Sequence, residues 1–280
     1  MHIGIVQFST DYTIRIDELA RAAEDRGFES LFVPEHTHIP TSRRSPWPGG
    51  AELPREYKHT VDPLVGLAWA AAATSRLRIG TGIALLTERD PIVLAKECAT
   101  LDMLSRGRFE LGIGAGWNAE EMENHGTRFE DRFKAMCDRA KAIKTIWRED
   151  EPEYHGPFVD FDPIWSYPKP VQKPNPPLLL GGESVHTLKR VVDFCEGWMP
   201  RMRAMGDIER QMEQLRTMAL EAGRDPASIS TTVFAVPGEP SALDACRKAG
   251  VYRALIMIPP VGRDKSLSLL DRHAGLLGGG

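Results

Sequence analysis

The chain has 280 residues, 42% hydrophobic and 26% charged, enough to bury a large core and far from the composition of a disordered chain. A net charge of −4 offers no global basic field, which argues against nucleic acid as a partner. Cys98, Cys137, Cys195 and Cys246 show no CxxC spacing and fall on expected helices, so they read as free thiols rather than a disulfide frame or a metal site.

The opening MHIGIVQF enters a strand over 3–8 without a basic start or a small-residue cleavage site, and no apolar run reaches about 18 residues. A cytosolic chain without a membrane span is therefore expected. Apolar residues recurring on one face predict a helix over 15–26. The second strand, 30–34, ends in Glu35 and His36, and 37–62 after it is a loop rich in Pro, Arg and Gly. A helix over 63–75 then starts on Pro63, a residue the first helical turn tolerates.

Residues 77–86 form a long β-run in which GTGI at 80–83 implies a bulge or a close backbone approach, because glycine weakens a strand interior. After a helix over 91–105, the strand 108–114 runs into a glycine-spaced turn made by Ala115 and Gly116, with Trp117 and Asn118 behind it. Such a strand end presents bare backbone to a flat ligand. The stretch 149–176 carries seven prolines and precedes the fifth strand, 177–180; it is expected to pack along the side of the fold. That strand ends in Gly181, Gly182, Glu183 and Ser184 at the start of a helix. Backbone N–H groups there, together with a helix dipole, suit a phosphate, or the turn is a plain one capped by Ser184. Strands at 197–200, 230–236 and 254–258, with a helix over 210–222, complete eight βα units.

Continuous apolar strands such as Leu178 to Leu180 suit a parallel sheet covered on both faces, and eight such units close most economically into a (β/α)8 barrel, residues 1–280 forming one domain. An open doubly wound sheet is the alternative, but Gly112, Gly114 and Gly116 match only the first part of GxGxxG. In a barrel the 37–62 loop lies at the strand C-termini, where it covers the active site. His36 and His38 also make an HxH pair, yet no further ligand stands at a later strand end, and no metal is expected.

The chain resembles the luciferase-like monooxygenase superfamily, and within it the branch that uses the deazaflavin coenzyme F420. The resemblance is carried by SLFVPEH at 30–36, by 77–126 with its GTGI and GIGAGWN segments, by YPKPVQKPNPPLLLGGES at 167–184 and by CEGW at 195–198. It implies a (β/α)8 barrel, commonly a homodimer, with a flavin or deazaflavin across the strand ends. His36 would be the acid/base group near the reactive ring carbon, a task suited to an imidazole with an unperturbed pKa near 6.5; Glu35 and Trp117 join it in the implied catalytic set. Gly82 and Ile83 would share a non-prolyl cis peptide bond behind the ring, and Ala115, Gly116, Asn118 and the 181–184 turn would hold the rest of the cofactor.

One departure bears on the substrate: the sugar-phosphate dehydrogenases of that branch carry an acid directly after the glycine turn, where this chain has Trp117. An apolar wall fits a hydrophobic small-molecule substrate better. Arg43, Arg44, Arg55, Arg201 and Arg203 stand on strand-end loops where they would steer the anionic tail of F420. FMN, used by a monooxygenase with O2, is the second cofactor reading, and a non-catalytic flavin-binding protein is the third. Dimerisation is expected through 63–75 and 91–105, where Ala70 to Ala73 make a smooth surface.

Overall fold

The computed structural model describes residues 1–50, 52–202 and 206–278. Its strands are β1 (His2–Val6), β2 (Ser30–Val33), β3 (Arg78–Thr81), β4 (Ala84–Leu85), β5 (Phe109–Gly114), β6 (Tyr154–His155), β7 (Asp160–Phe161), β8 (Leu178–Gly181), β9 (Gly197–Met199), β10 (Ser230–Val236) and β11 (Arg253–Met257). Parallel pairing runs from β3 through β2, β1, β11, β10, β9 and β8 to β5, and β5 returns to β3, which closes an eight-stranded barrel. The third strand is split, because β4 rather than β3 pairs with the end of β5.

Outside the strands lie α1 (Ile16–Asp25), α2 (Pro63–Ala73), α3 (Pro91–Ser105), α4 (Ala119–Asn124), α5 (Arg132–Arg148), α6 (Val185–Phe194), α7 (Ile208–Glu221), α8 (Pro240–Ala249) and α9 (Arg263–Ala274). Local chemistry sets their starts: Asp62 and Asp90 accept from the amides of Val65 and Val93, each followed by a proline at the first helical position. Two apolar layers result. One lies between sheet and helices, and a smaller one of Val6, Phe32, Leu179, Met199 and Leu255 fills the barrel. Gly80 makes room for the latter, since a Cβ there would lie 2.3 Å from the Phe32 ring.

Below that layer a buried ionic plug closes the N-terminal end of the barrel. Arg253, with no exposed surface, donates to Glu29 at 2.7 Å and to both oxygens of Glu110 at 2.8 Å, and Arg78 donates to Glu110 at 2.5 Å. Burial pushes the Glu110 carboxyl up, but Arg253 and Arg78 outweigh it and hold the group below the usual carboxylate range. The proline-rich stretch forms the β6–β7 hairpin and then packs beside α3, with the amides of Val171 and Gln172 donating to Asp102. The open end of the barrel is thereby left to the strand C-termini.

Candidate active site

His36 follows β2 directly and is almost fully buried. Its Nδ1 lies 2.8 Å and 3.1 Å from the two oxygens of Glu121 on α4, itself fully buried, so the carboxylate accepts the Nδ1 proton and leaves Nε2 as the ring's other reactive atom. Glu121 also accepts from the amide of Thr37 at 3.2 Å. The imidazole is boxed by two aromatic rings, Tyr57 at 5.1 Å and Trp117 at 5.7 Å between centroids. Tyr57 comes from the 37–62 loop, which therefore lies over the mouth as expected; Trp47 stacks edge-on against it, and Thr60 donates to the carbonyl of His36.

The loop is latched to α4. Glu120 accepts from the Ser45 amide at 2.9 Å and the Ser45 hydroxyl at 2.5 Å, and the amide of Ala119 donates back to Ser45 Oγ. Although burial raises the Glu120 carboxyl, these donors pull it down to about 2, so the latch stays ionised through the physiological range.

Glu35, placed beside His36 by sequence, is engaged elsewhere. One oxygen accepts from the amide of Leu85 at 2.7 Å and the other from Arg89 at 2.7 Å, which anchors the β2 end to the split third strand. The expected cis bond between Gly82 and Ile83 is corrected by the structure: among the described residues the cis bonds are Tyr167–Pro168 and Lys173–Pro174. Ile83 instead takes a positive φ of 102°, a conformation rare for a β-branched side chain, and that backbone makes the bulge. Its side chain lies on bare backbone, for a Cβ at Gly114 or Gly181 would fall within 2.6 Å of Ile83. These two glycines therefore serve the packing of Ile83.

In the turn after β5, Gly116 has φ 76° and Ala115 is buried. Asn118 is 1% exposed, and neither its amide nitrogen nor its oxygen has a hydrogen-bond partner in the protein. A buried amide without partners costs about 1–3 kcal/mol unless something else satisfies it, so a ligand with both donor and acceptor edges fits here. After β8, Gly182 has φ 114° and its carbonyl accepts from the Trp198 indole at 2.7 Å; Ser184 caps α6 by accepting from the Thr187 amide. Glu183 is held in an ion pair with Arg201 at 2.8 Å, which offsets the repulsion its charge would exert on a phosphate.

The arginines at the mouth divide. Arg44 pairs with Glu123 and Arg201 with Glu183, Arg55 lies over the Tyr12 ring at 4.2 Å, and Arg203 lies outside the described residues. Arg43 sits 5.9 Å over Trp117, and its buried Nη1 has no partner. His38 interacts with Thr37 and Asn124. Sequence reasoning missed Glu121, Tyr57, Arg89 and Trp198. The signal available for Glu121 was an acid in the first turn of a helix directly after the Trp117–Asn118 turn.

A family model described as luciferase-like monooxygenase matches residues 9–256. An uncharacterised protein of Mycobacterium tuberculosis is 38% identical, over 99% of this chain and 99% of its own length. The F420-dependent hydroxymycolic acid dehydrogenase of the same organism is 26% identical, over 90% of this chain and 66% of that protein. Among solved structures, a monooxygenase from Streptomyces bottropensis superposes with a TM-score of 0.81 at 20% identity, covering 98% of both chains, a likeness of fold.

Proposed function

The chain belongs to the luciferase-like monooxygenase family, whose members are oxidoreductases that use flavin or F420, and we propose that this enzyme moves a hydride between coenzyme F420 and an apolar small-molecule substrate. The observation that carries the reading is His36: a buried imidazole tied through Nδ1 to Glu121, facing Trp117, with no acid directly after the glycine turn. Relatives named as F420-dependent support the choice of cofactor.

When bound, the deazaflavin supplies a carbon that gives or takes hydride. The chain's own part is to manage the accompanying proton and to exclude water. His36 Nε2 takes the proton from, or returns it to, the substrate oxygen, while the Glu121 carboxylate balances the charge on the ring. Tyr57 and Trp117 wall the imidazole off from solvent and offer the apolar surface on which the substrate rests. Asn118 and the Gly116 turn would hold the ring system, the Gly182–Ser184 turn the phosphate, and Arg43, whose Nη1 has no hydrogen-bond partner in the protein, the anionic tail.

FMN is the competing cofactor, favoured to the extent that Arg44 and Arg201 are already neutralised by carboxylates. Titration by intrinsic tryptophan quenching separates the two. F420 is expected to bind at least about tenfold more tightly than FMN, roughly 1.4 kcal/mol, with a preference that shrinks as salt rises. Equal or tighter binding of FMN would move the protein to the oxygen-using reading.

A further inference from the structure

The Nδ1 side of His36 leads out of the barrel. Glu121, which accepts the imidazole proton, is joined through Thr37 to Glu88, just after β4. Thr37 bridges the same groups: its amide donates to Glu121, its hydroxyl donates to Glu88 at 3.4 Å and lies 2.9 Å from Nε2 of His125. Beyond Glu88 is a cavity of about 360 Å³ on the outer side of the barrel, bordered by Glu88, Arg89, Asp90, His125, Arg139 and the β6–β7 hairpin. Two buried polar atoms of residues that line it, Glu88 Oε1 and Arg139 Nε, have no partner in the protein, and the space is large enough to admit water.

We propose that Glu121 and Glu88 form a proton path joining the Nδ1 side of His36 to this outer cavity, with Thr37 and His125 at its exit, so that protons reach and leave the active site without crossing the cofactor chamber. The electrostatics agree with that geometry. Burial, followed by the charges of Glu121 and Glu35, pushes the Glu88 carboxyl up to about 9, so it carries a proton at neutral pH. Glu35 stays engaged with Arg89. Burial and the neighbouring His38 push His125 below the ordinary imidazole value, which leaves it neutral and able to accept.

The balance is one proton in and one proton out, with no electron moved along the path. When Nε2 takes a proton from the substrate, Nδ1 gives its proton to Glu121. Glu88 releases its own to His125, which passes it to the cavity, and is reprotonated by Glu121, leaving the imidazole as the Nε2–H tautomer. The reverse reaction runs the same transfers inward and restores the Nδ1–H form. Glu121 and Glu88 are thus positioning and relay residues that touch no substrate.

The inference rests on the acid/base role proposed for His36, and its test reads the protein without cofactor or substrate. A wrong cofactor, revealed by titration, leaves the result standing, and a failed path leaves the cofactor reading standing. The probe is exchange of the His36 ring proton with solvent, followed by NMR on protein with 15N-labelled histidine. Glu88→Gln is expected to slow this exchange by about tenfold or more, in keeping with the contribution of a positioned proton carrier. His125→Ala slows it in the same direction. Infrared spectra should also show a carboxylic-acid band that persists at neutral pH and is missing in Glu88→Gln. Exchange unchanged in Glu88→Gln, or in His125→Ala should the first variant not fold, would overturn the path.

Discussion

His36 gains its chemistry from where it stands: a ring nearly closed off from solvent, one nitrogen held by a carboxylate and the other free to act. His36→Ala is expected to lower turnover by about 10² or more, the usual scale for a positioned acid/base, with cofactor affinity within a few-fold; steady-state rates and titration check both. Gly182 bears on binding instead. A side chain at its φ of 114° is strained, and a Cβ would lie 2.9 Å from Thr187 Oγ1, so Gly182→Val should abolish cofactor binding while the melting temperature reports the strain separately. Unchanged affinity would place the phosphate elsewhere. Glu88 adds a pH dependence of stability. Its folded value of about 9 lies above its ordinary 4.5, so the folded state binds more protons through that interval and the contribution is lost as pH rises from about 4.5 to 9. Denaturant midpoints measured across that range should fall more steeply for the wild type than for Glu88→Gln.

Among the elements, the 37–62 loop has the most to do, because it contributes the Tyr57 ring and shields His36. Its attachment is local, one Glu120 carboxylate receiving the amide and hydroxyl of Ser45, reinforced by Arg44 on Glu123. Glu120→Ala is expected to release the loop without unfolding the barrel, read as faster proteolytic cleavage within 37–62 at a nearly unchanged melting temperature. Protection equal to the wild type would mean that aromatic packing alone holds it. The split third strand shows how far local reasoning reaches. Two glycines in GTGI announce a bulge, but the conformation adopted, a positive φ at Ile83, depends on the space that Gly114 and Gly181 provide on two other strands.

For the molecule as a whole, the buried plug at the closed end and the exposed apolar face on α2 and α3 invite separate tests. Arg253→Met leaves Glu29 and Glu110 without their main counter-charge, a loss of about 3–5 kcal/mol for a broken buried ion pair. Urea unfolding measures it, and a loss below about 1 kcal/mol would show that Arg78 alone neutralises the site. On α2 and α3, Val65 is 73% exposed, Trp69 57% and Leu104 66%, more apolar surface than a lone helix face ordinarily shows to water. We expect a second copy of the chain to cover it. Wild-type protein should then run at twice 31.1 kDa at micromolar concentration and Trp69→Glu as a monomer; a monomeric wild type would leave this face to another role.

Much of this was legible along the chain. Apolar runs alternating with amphipathic helices determined the eight βα units, and glycines at 80–82, 112–116 and 181–182 marked where backbone approaches backbone or ligand, because both signals depend on residues adjacent in sequence. The position of His36 at a strand end was visible for the same reason. Its partner was not: Glu121 is 85 residues away, and only barrel closure carries α4 to the end of β2. Closure likewise turned Glu35 toward Arg89, brought Arg253 between Glu29 and Glu110, and set Glu88 between two other carboxylates. Sequence determined which segments form strands, helices and turns, since that preference is local. Tertiary structure decided which charges meet, since pairing and desolvation are properties of distance in space.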